Sequence, residues 1–192
     1  MSKEEHMREI RGARAFGVIR TVLLGITMLL PLEVRADVMF QGNLLDRPCK
    51  VDPASQMQDV TFLDTATPLY WVWPGKSAEK TIQVTLVNCY ASTLGKVVKL
   101  TFSGAEELAL PGYLATTGAN AGRLAIGFLD TDGSTLLRLG TPHHNGAGDV
   151  VTGSSLTLKF KAFVQATPDA ISQKSVVPGD YSATATFEVN YQ

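Results

Sequence analysis

Few residues in this sequence have the types and spacing that chemistry demands. His143-His144 with Asp149 brings imidazoles and a carboxylate together in a short stretch. A zinc centre needs three or four protein ligands, and adjacent side chains on an extended chain point to opposite faces. The flanking glycines mark a loop, so a metal centre is not expected. Asp130-Thr131-Asp132-Gly133 has the opening of a calcium loop but lacks its later ligands and its closing glutamate. Asp-Gly is instead a strong hairpin-turn signal. Tyr70, Trp71 and Trp73 crowd one segment. They could form a sugar platform, but a loop covering one end of a core is the better reading, because indoles bring large apolar area. No glycine-flanked nucleophilic serine and no paired carboxylates stand out. The residues therefore point away from an enzyme, from any cofactor or metal, and from a small-molecule substrate.

Charge narrows the partners further. The 192 residues carry 17 Lys+Arg against 18 Asp+Glu, and no charge run is present. Nucleic acid and anionic membranes are both unfavoured. Residues 1–36 read as a secretory signal peptide. Arg8, Arg11, Arg14 and Arg20 precede an apolar run from Thr21 to Leu32, and Val34-Arg35-Ala36 supplies small residues for cleavage after Ala36. The run is shorter than the roughly 20 residues that span a bilayer. Export leads to an oxidising compartment, where the two cysteines, Cys49 and Cys89, are expected to form a disulfide.

What remains reads as one all-β domain, a sandwich of short strands separated by turns. Strands are expected at Val60–Phe62, around Ile82, Val84 and Leu86, around Val98, Leu100 and Phe102, from Leu124 to Phe128, and from Leu156 to Val164. Pro168 to Lys174 can hold a short helical turn. The most regular stretch runs from Tyr181 to Gln192. Tyr181, Ala183, Ala185, Phe187, Val189 and Tyr191 alternate with Ser182, Thr184, Thr186, Glu188 and Asn190. This period of two predicts a single strand with one dry and one wet face. Pro178-Gly179-Asp180 supplies the turn before it. No lysine, proline or covering element blunts the edge of this strand, so a partner is expected there. A second alternating segment, Asp37 to Leu45, places Val38, Phe40, Gly42 and Leu44 on one parity. Glycine inside a strand marks a close approach of another surface.

These features together resemble the pilin subunits assembled by the chaperone–usher pathway. The resemblance rests on Gly179, the tyrosine Tyr191 one residue before Gln192, the Cys49/Cys89 pair, and the detached alternating segment with Gly42 at its centre. It extends to Gly42-Asn43-Leu44-Leu45-Asp46-Arg47-Pro48-Cys49, Asn120-Ala121-Gly122-Arg123-Leu124, Leu129-Asp130-Thr131-Asp132-Gly133-Ser134 and Ser175-Val176-Val177-Pro178-Gly179-Asp180-Tyr181. It implies an immunoglobulin-like sandwich lacking its last strand, with residues 37–47 as a donor-strand extension and 48–192 as the pilin domain. It also implies a groove edged by Gly179, Tyr181, Ala183, Ala185, Phe187, Val189, Tyr191 and Gln192, filled first by a periplasmic chaperone and then, at the outer-membrane usher, by the next subunit's extension. Val38, Phe40, Gly42 and Leu44 would in turn fill the preceding subunit. The implied role is a minor subunit of a cell-surface fimbria serving adhesion, an adaptor joining tip fibre to rod. Another minor tip subunit, a growth terminator or a secreted carbohydrate-binding module are the alternatives.

Overall fold

The computed structural model describes residues 48–192. The expected signal peptide and the expected donor strand, with Val38, Phe40, Gly42 and Leu44, lie outside the described residues. In chain order the strands are Lys50–Val51 (β1), Lys80–Val87 (β2), Val97–Ser103 (β3), Leu114–Ala115 (β4), Thr117–Gly118 (β5), Leu124–Leu129 (β6), Leu136–Leu137 (β7), Asp149–Val150 (β8), Ser155–Ala166 (β9), Tyr181–Ser182 (β10) and Thr186–Tyr191 (β11). Two short helices, Pro53–Gln56 (α1) and Pro168–Ser172 (α2), join them.

Alternating apolar residues build two antiparallel sheets. One has the order β1-β2-β9-β6-β4, with β7 also on β6; the other has the order β11-β3-β8, and β10 pairs separately with β5. In β2, Ile82, Val84 and Leu86 are buried while Thr81 and Gln83 are exposed. In β3, Val98, Leu100 and Phe102 are buried in the same way. The two sheets meet through aromatic rings: Phe102 of β3 stacks on Phe128 of β6 at 4.7 Å and meets Phe160 of β9 edge-on at 5.2 Å. Burying rings of this size contributes roughly 1.5–3 kcal/mol per side chain. The Asp130–Thr135 segment is a hairpin loop between β6 and β7.

Two expected elements differ. Val60–Phe62 is not a strand. Its two apolar side chains rest half-buried on the core, and the outer edge of β2 is taken by β1 instead. The stretch from Tyr181 is two strands, not one. Tyr181 and Ser182 pair with Gly118 and Thr117, whereas Thr186 to Tyr191 pair with Ser103 to Val98 in a different sheet. Ala183 to Ala185 cross between the two, passing so close to Gly104 that a Cβ there would lie 3.1 Å from the Thr184 carbonyl oxygen. The alternation survives the break. Tyr181, Ala183, Ala185, Phe187, Val189 and Tyr191 are all half-buried on the core, and the residues between them are exposed.

Candidate functional site

The half-buried face of the last strand borders an apolar trough. β11 is the outermost strand of its sheet, and no described strand pairs with its second edge. β1 is likewise outermost in the facing sheet. Val51 on β1 and Phe187 and Val189 on β11 pack on the core while remaining partly open, as do Val60 and Phe62, and these half-open side chains line the trough. Phe187 reaches the stacked rings below, 6.4 Å from Phe102.

A tyrosine stands at each end of the trough. At one end the Tyr191 hydroxyl donates to the Cys49 carbonyl oxygen at 3.2 Å, beside the Cys49–Cys89 disulfide. At the other end Tyr181 lies within electrostatic reach of Tyr70 and Asp64. Burial, with a smaller contribution from those two groups, pushes the Tyr181 phenol up to about 12. Burial also raises Tyr191. Both phenols therefore stay neutral at physiological pH and act as apolar surface with one polar tip.

Glycines set the entry to the last strand. Gly118 has φ +90°, and a Cβ there would lie 2.3 Å from the Asp180 carbonyl oxygen. Gly179 has φ +146°, and its Cβ would meet the Ala119 methyl at 2.8 Å. The two chains cross with no room for side chains. Just upstream, buried Asn120 acts as a surrogate strand: its amide donates to the Val177 carbonyl at 2.8 Å and its oxygen accepts from the Val177 N–H at 3.0 Å.

The residues that suggested chemistry have structural work instead. His143 is fully buried. Its Nδ1 accepts from the Leu100 N–H at 2.9 Å, so its Nε2 carries the proton and faces Asp149 Oδ2 at 3.1 Å. The His143 N–H also donates to the Leu100 carbonyl at 2.9 Å. One residue thus replaces a strand partner for β3. The expectation that the two histidines point apart does not hold. Positive φ at His144 and Asn145 turns the chain, and His144 Nδ1 lies 3.5 Å from the same Asp149 carboxylate. Asp132 is consumed by its own turn, accepting from the Ser134 and Thr135 N–H groups at 2.8 Å and from the Thr135 hydroxyl. Led by that hydroxyl, these donors hold its carboxyl down at about 2. Among the described residues no cluster of three His, Cys, Asp or Glu could hold a metal. Nor do the aromatics form a platform. Tyr70 is buried, the half-buried Trp71 donates its Nε1–H to the Val176 carbonyl at 3.1 Å, and Trp73 alone stands open.

The sequence alternation marked the apolar face of β11, and the structure shows that face half-buried on the core. Val51, Val60 and Phe62 also pack half-open on the core, far away in sequence. The alternation of Val60 and Phe62 was the available signal, and it marked a face without saying which edge that face adjoins.

Comparison with known proteins agrees with this architecture. The family described as "Fimbrial protein" matches residues 38–192. The chain is 55% identical over 159 residues to the fimbrial adapter PapK of Escherichia coli, covering 83% of this chain and 89% of that one. It is 55% identical over 157 residues to the protein PrsK of Escherichia coli, covering 82% and 88%. Its fold superimposes on the P pilus rod subunit PapA with a TM-score of 0.63 at 23% identity, covering 76% of this chain and all of that one. The chain belongs to the fimbrial protein family and is a structural minor subunit of a cell-surface fimbria, an all-β pilin.

Proposed function

We propose that this pilin is an adaptor whose trough is completed by a strand from another protein. In this reading residues 1–36 are removed on export, residues 37–47 are the donor extension and residues 48–192 the pilin domain. A periplasmic chaperone lends the first strand along β11. At the outer-membrane usher the extension of the next subunit replaces it, while Val38, Phe40 and Leu44 of this chain enter the preceding subunit and Gly42 passes where a side chain would clash. The process is an exchange of hydrogen-bonded strands and involves no catalysis.

The single observation that carries the reading is the β11 edge. It has a hydrophobic face packed on the core, no described partner on its second side, and a rim opposite it that is equally unpaired. Adding a strand there would bury the half-open side chains, contributing roughly 1.5–3 kcal/mol for each large one. The 11 residues from 37 to 47 are more than enough to pair along the 6 residues of β11. The resemblance to a protein named as a fimbrial adapter supports the adaptor role. A carbohydrate-binding module is disfavoured because only one indole is open.

The test is periplasmic expression of residues 37–192 with and without the chaperone encoded alongside its pilus. The expected outcome is a soluble one-to-one complex with the chaperone and aggregation or proteolysis without it. A stable, cooperatively unfolding monomer in the chaperone's absence would overturn the reading.

A further inference from the structure

The sandwich has two poles, and each carries exposed apolar surface. The register of β2 on β9 runs from Lys80↔Ala162 to Val87↔Ser155. Beyond Val87, the Cys89 N–H donates to the Ser154 carbonyl; beyond Lys80, the Ala166 N–H donates to the Gly75 carbonyl. Gly75 and Cys89 therefore mark opposite ends, separated by the 8 residues of β2, or about 26 Å at roughly 3.3 Å each. At the Gly75 pole Trp73 is 78% exposed, Val72 66%, Leu69 47% and Val177 42%. The Trp71 bond to Val176 holds the two segments of this patch together. At the Cys89 pole Tyr90 is 44% exposed and Leu94 47%.

We infer that the Leu69–Val72–Trp73–Val177 patch seats the globular domain of the neighbouring pilin whose extension fills the trough. This inference rests on the strand-exchange reading above. Chain polarity assigns the occupant. The extension of this chain joins its domain at Pro48, next to Cys49, which is tied to Tyr191 at the Cys89 pole. That pole therefore faces the preceding subunit. An incoming extension running parallel to β11 would deliver its own domain to the same, already occupied pole. Running antiparallel, it delivers the domain to the Tyr181 end, where the Trp73 patch adjoins the trough. The apolar residues at both poles fit a head-to-tail stack, in which the Tyr90 and Leu94 end of one subunit faces the Trp73 end of the one before it. An open tryptophan with three exposed aliphatic side chains on two segments joined by the Trp71–Val176 bond is the composition of a protein interface rather than of ordinary surface.

The experiment incorporates p-benzoylphenylalanine singly at Trp73, at Glu188 on the exposed face of β11 and at Lys159 on the exposed face of β9, in the full chain. Pili are sheared from the cells and irradiated. Cross-linked products are mapped by mass spectrometry. The expected result at position 73 is a two-subunit product joined to a residue of the neighbour's globular domain, absent from the position 159 sample. At position 188 the link should fall within the neighbour's N-terminal extension, because cross-strand side chains lie about 5 Å apart. No product at 73, or a product only with the extension, chaperone or usher, overturns the inference while a link at 188 leaves strand exchange standing. Silence at 188 overturns strand exchange and this inference with it.

Discussion

The hydroxyl of Tyr191 donates to the carbonyl oxygen of Cys49, 3.2 Å away, across the gap between the two sheets. The residues stand 142 positions apart, yet the bond closes one end of the trough and fixes the distance between its rims. Cys49 is itself held to Cys89 by the disulfide, so the last strand is registered against a covalent staple.

Removing only this bond should cost little, and removing the apolar ring should cost function. Tyr191→Phe is expected to lower stability by about 1 kcal/mol, the usual net value of one hydrogen bond, and to retain chaperone binding. Tyr191→Asp puts a charge on the half-buried face and should abolish the complex. Urea midpoints of the complexes, with co-purification from periplasm, check both outcomes.

The tyrosines of the trough predict alkaline lability. An unfolded tyrosine titrates near 10, whereas burial raises Tyr181 to about 12 and also raises Tyr191. The unfolded chain therefore loses its phenolic protons first. Stability from these groups is fully present below about pH 10 and falls as pH rises toward 12. Urea unfolding at several pH values, with the same donor strand bound throughout, should show this decline, and Tyr181→Phe should flatten it.

Gly118 has a positive φ, and a Cβ added there would lie 2.3 Å from the Asp180 carbonyl oxygen. Gly118→Ala is expected to destabilise by about 1–3 kcal/mol through backbone strain and to displace β10 from β5. The same substitution at Gly122, which also has positive φ but open space around it, should cost less. Thermal melts of the two variants side by side decide the point.

His143→Leu keeps the bulk but deprives the Leu100 N–H of its acceptor and Asp149 of one of its two imidazole partners. The expected cost is about 2 kcal/mol, that of a buried polar group left unpaired. Because Leu100 pairs with Val189, faster amide exchange should appear at Leu100 and along β11, whereas β2 and β9 stay protected. Hydrogen exchange followed residue by residue makes the comparison.

Phe40 addresses the donor side of the proposal. Phe40→Asp should leave the chaperone complex intact, because the trough of this chain is untouched, and should block joining to the preceding subunit. Normal pili containing the variant would refute the donor assignment.

The alternation of short apolar strands and the single cysteine pair made the fold class legible, since a period of two admits a half-buried strand and little else. The same alternation named the face of the last segment, and parity held through Tyr191. What it could not carry was the break at Ala183 to Ala185. Side-chain period is identical on either side of a sheet crossing, and the crossing follows from pairing with two partners distant in sequence, Thr117 and Gly118 before it and Ser103 to Val98 after it. The histidines misled for a related reason: local spacing says where neighbours point on an extended chain, but positive φ at His144 and Asn145 and the demand of Leu100 for a partner turned both rings onto Asp149. Residue types and their period determined what must be buried. Only long-range packing decided that β1 and β11 are the open edges of the two sheets and that Val51, Val60 and Phe62 rest half-open on the core, because which edges stay unpaired depends on contacts between segments whose separation in the chain carries no signal.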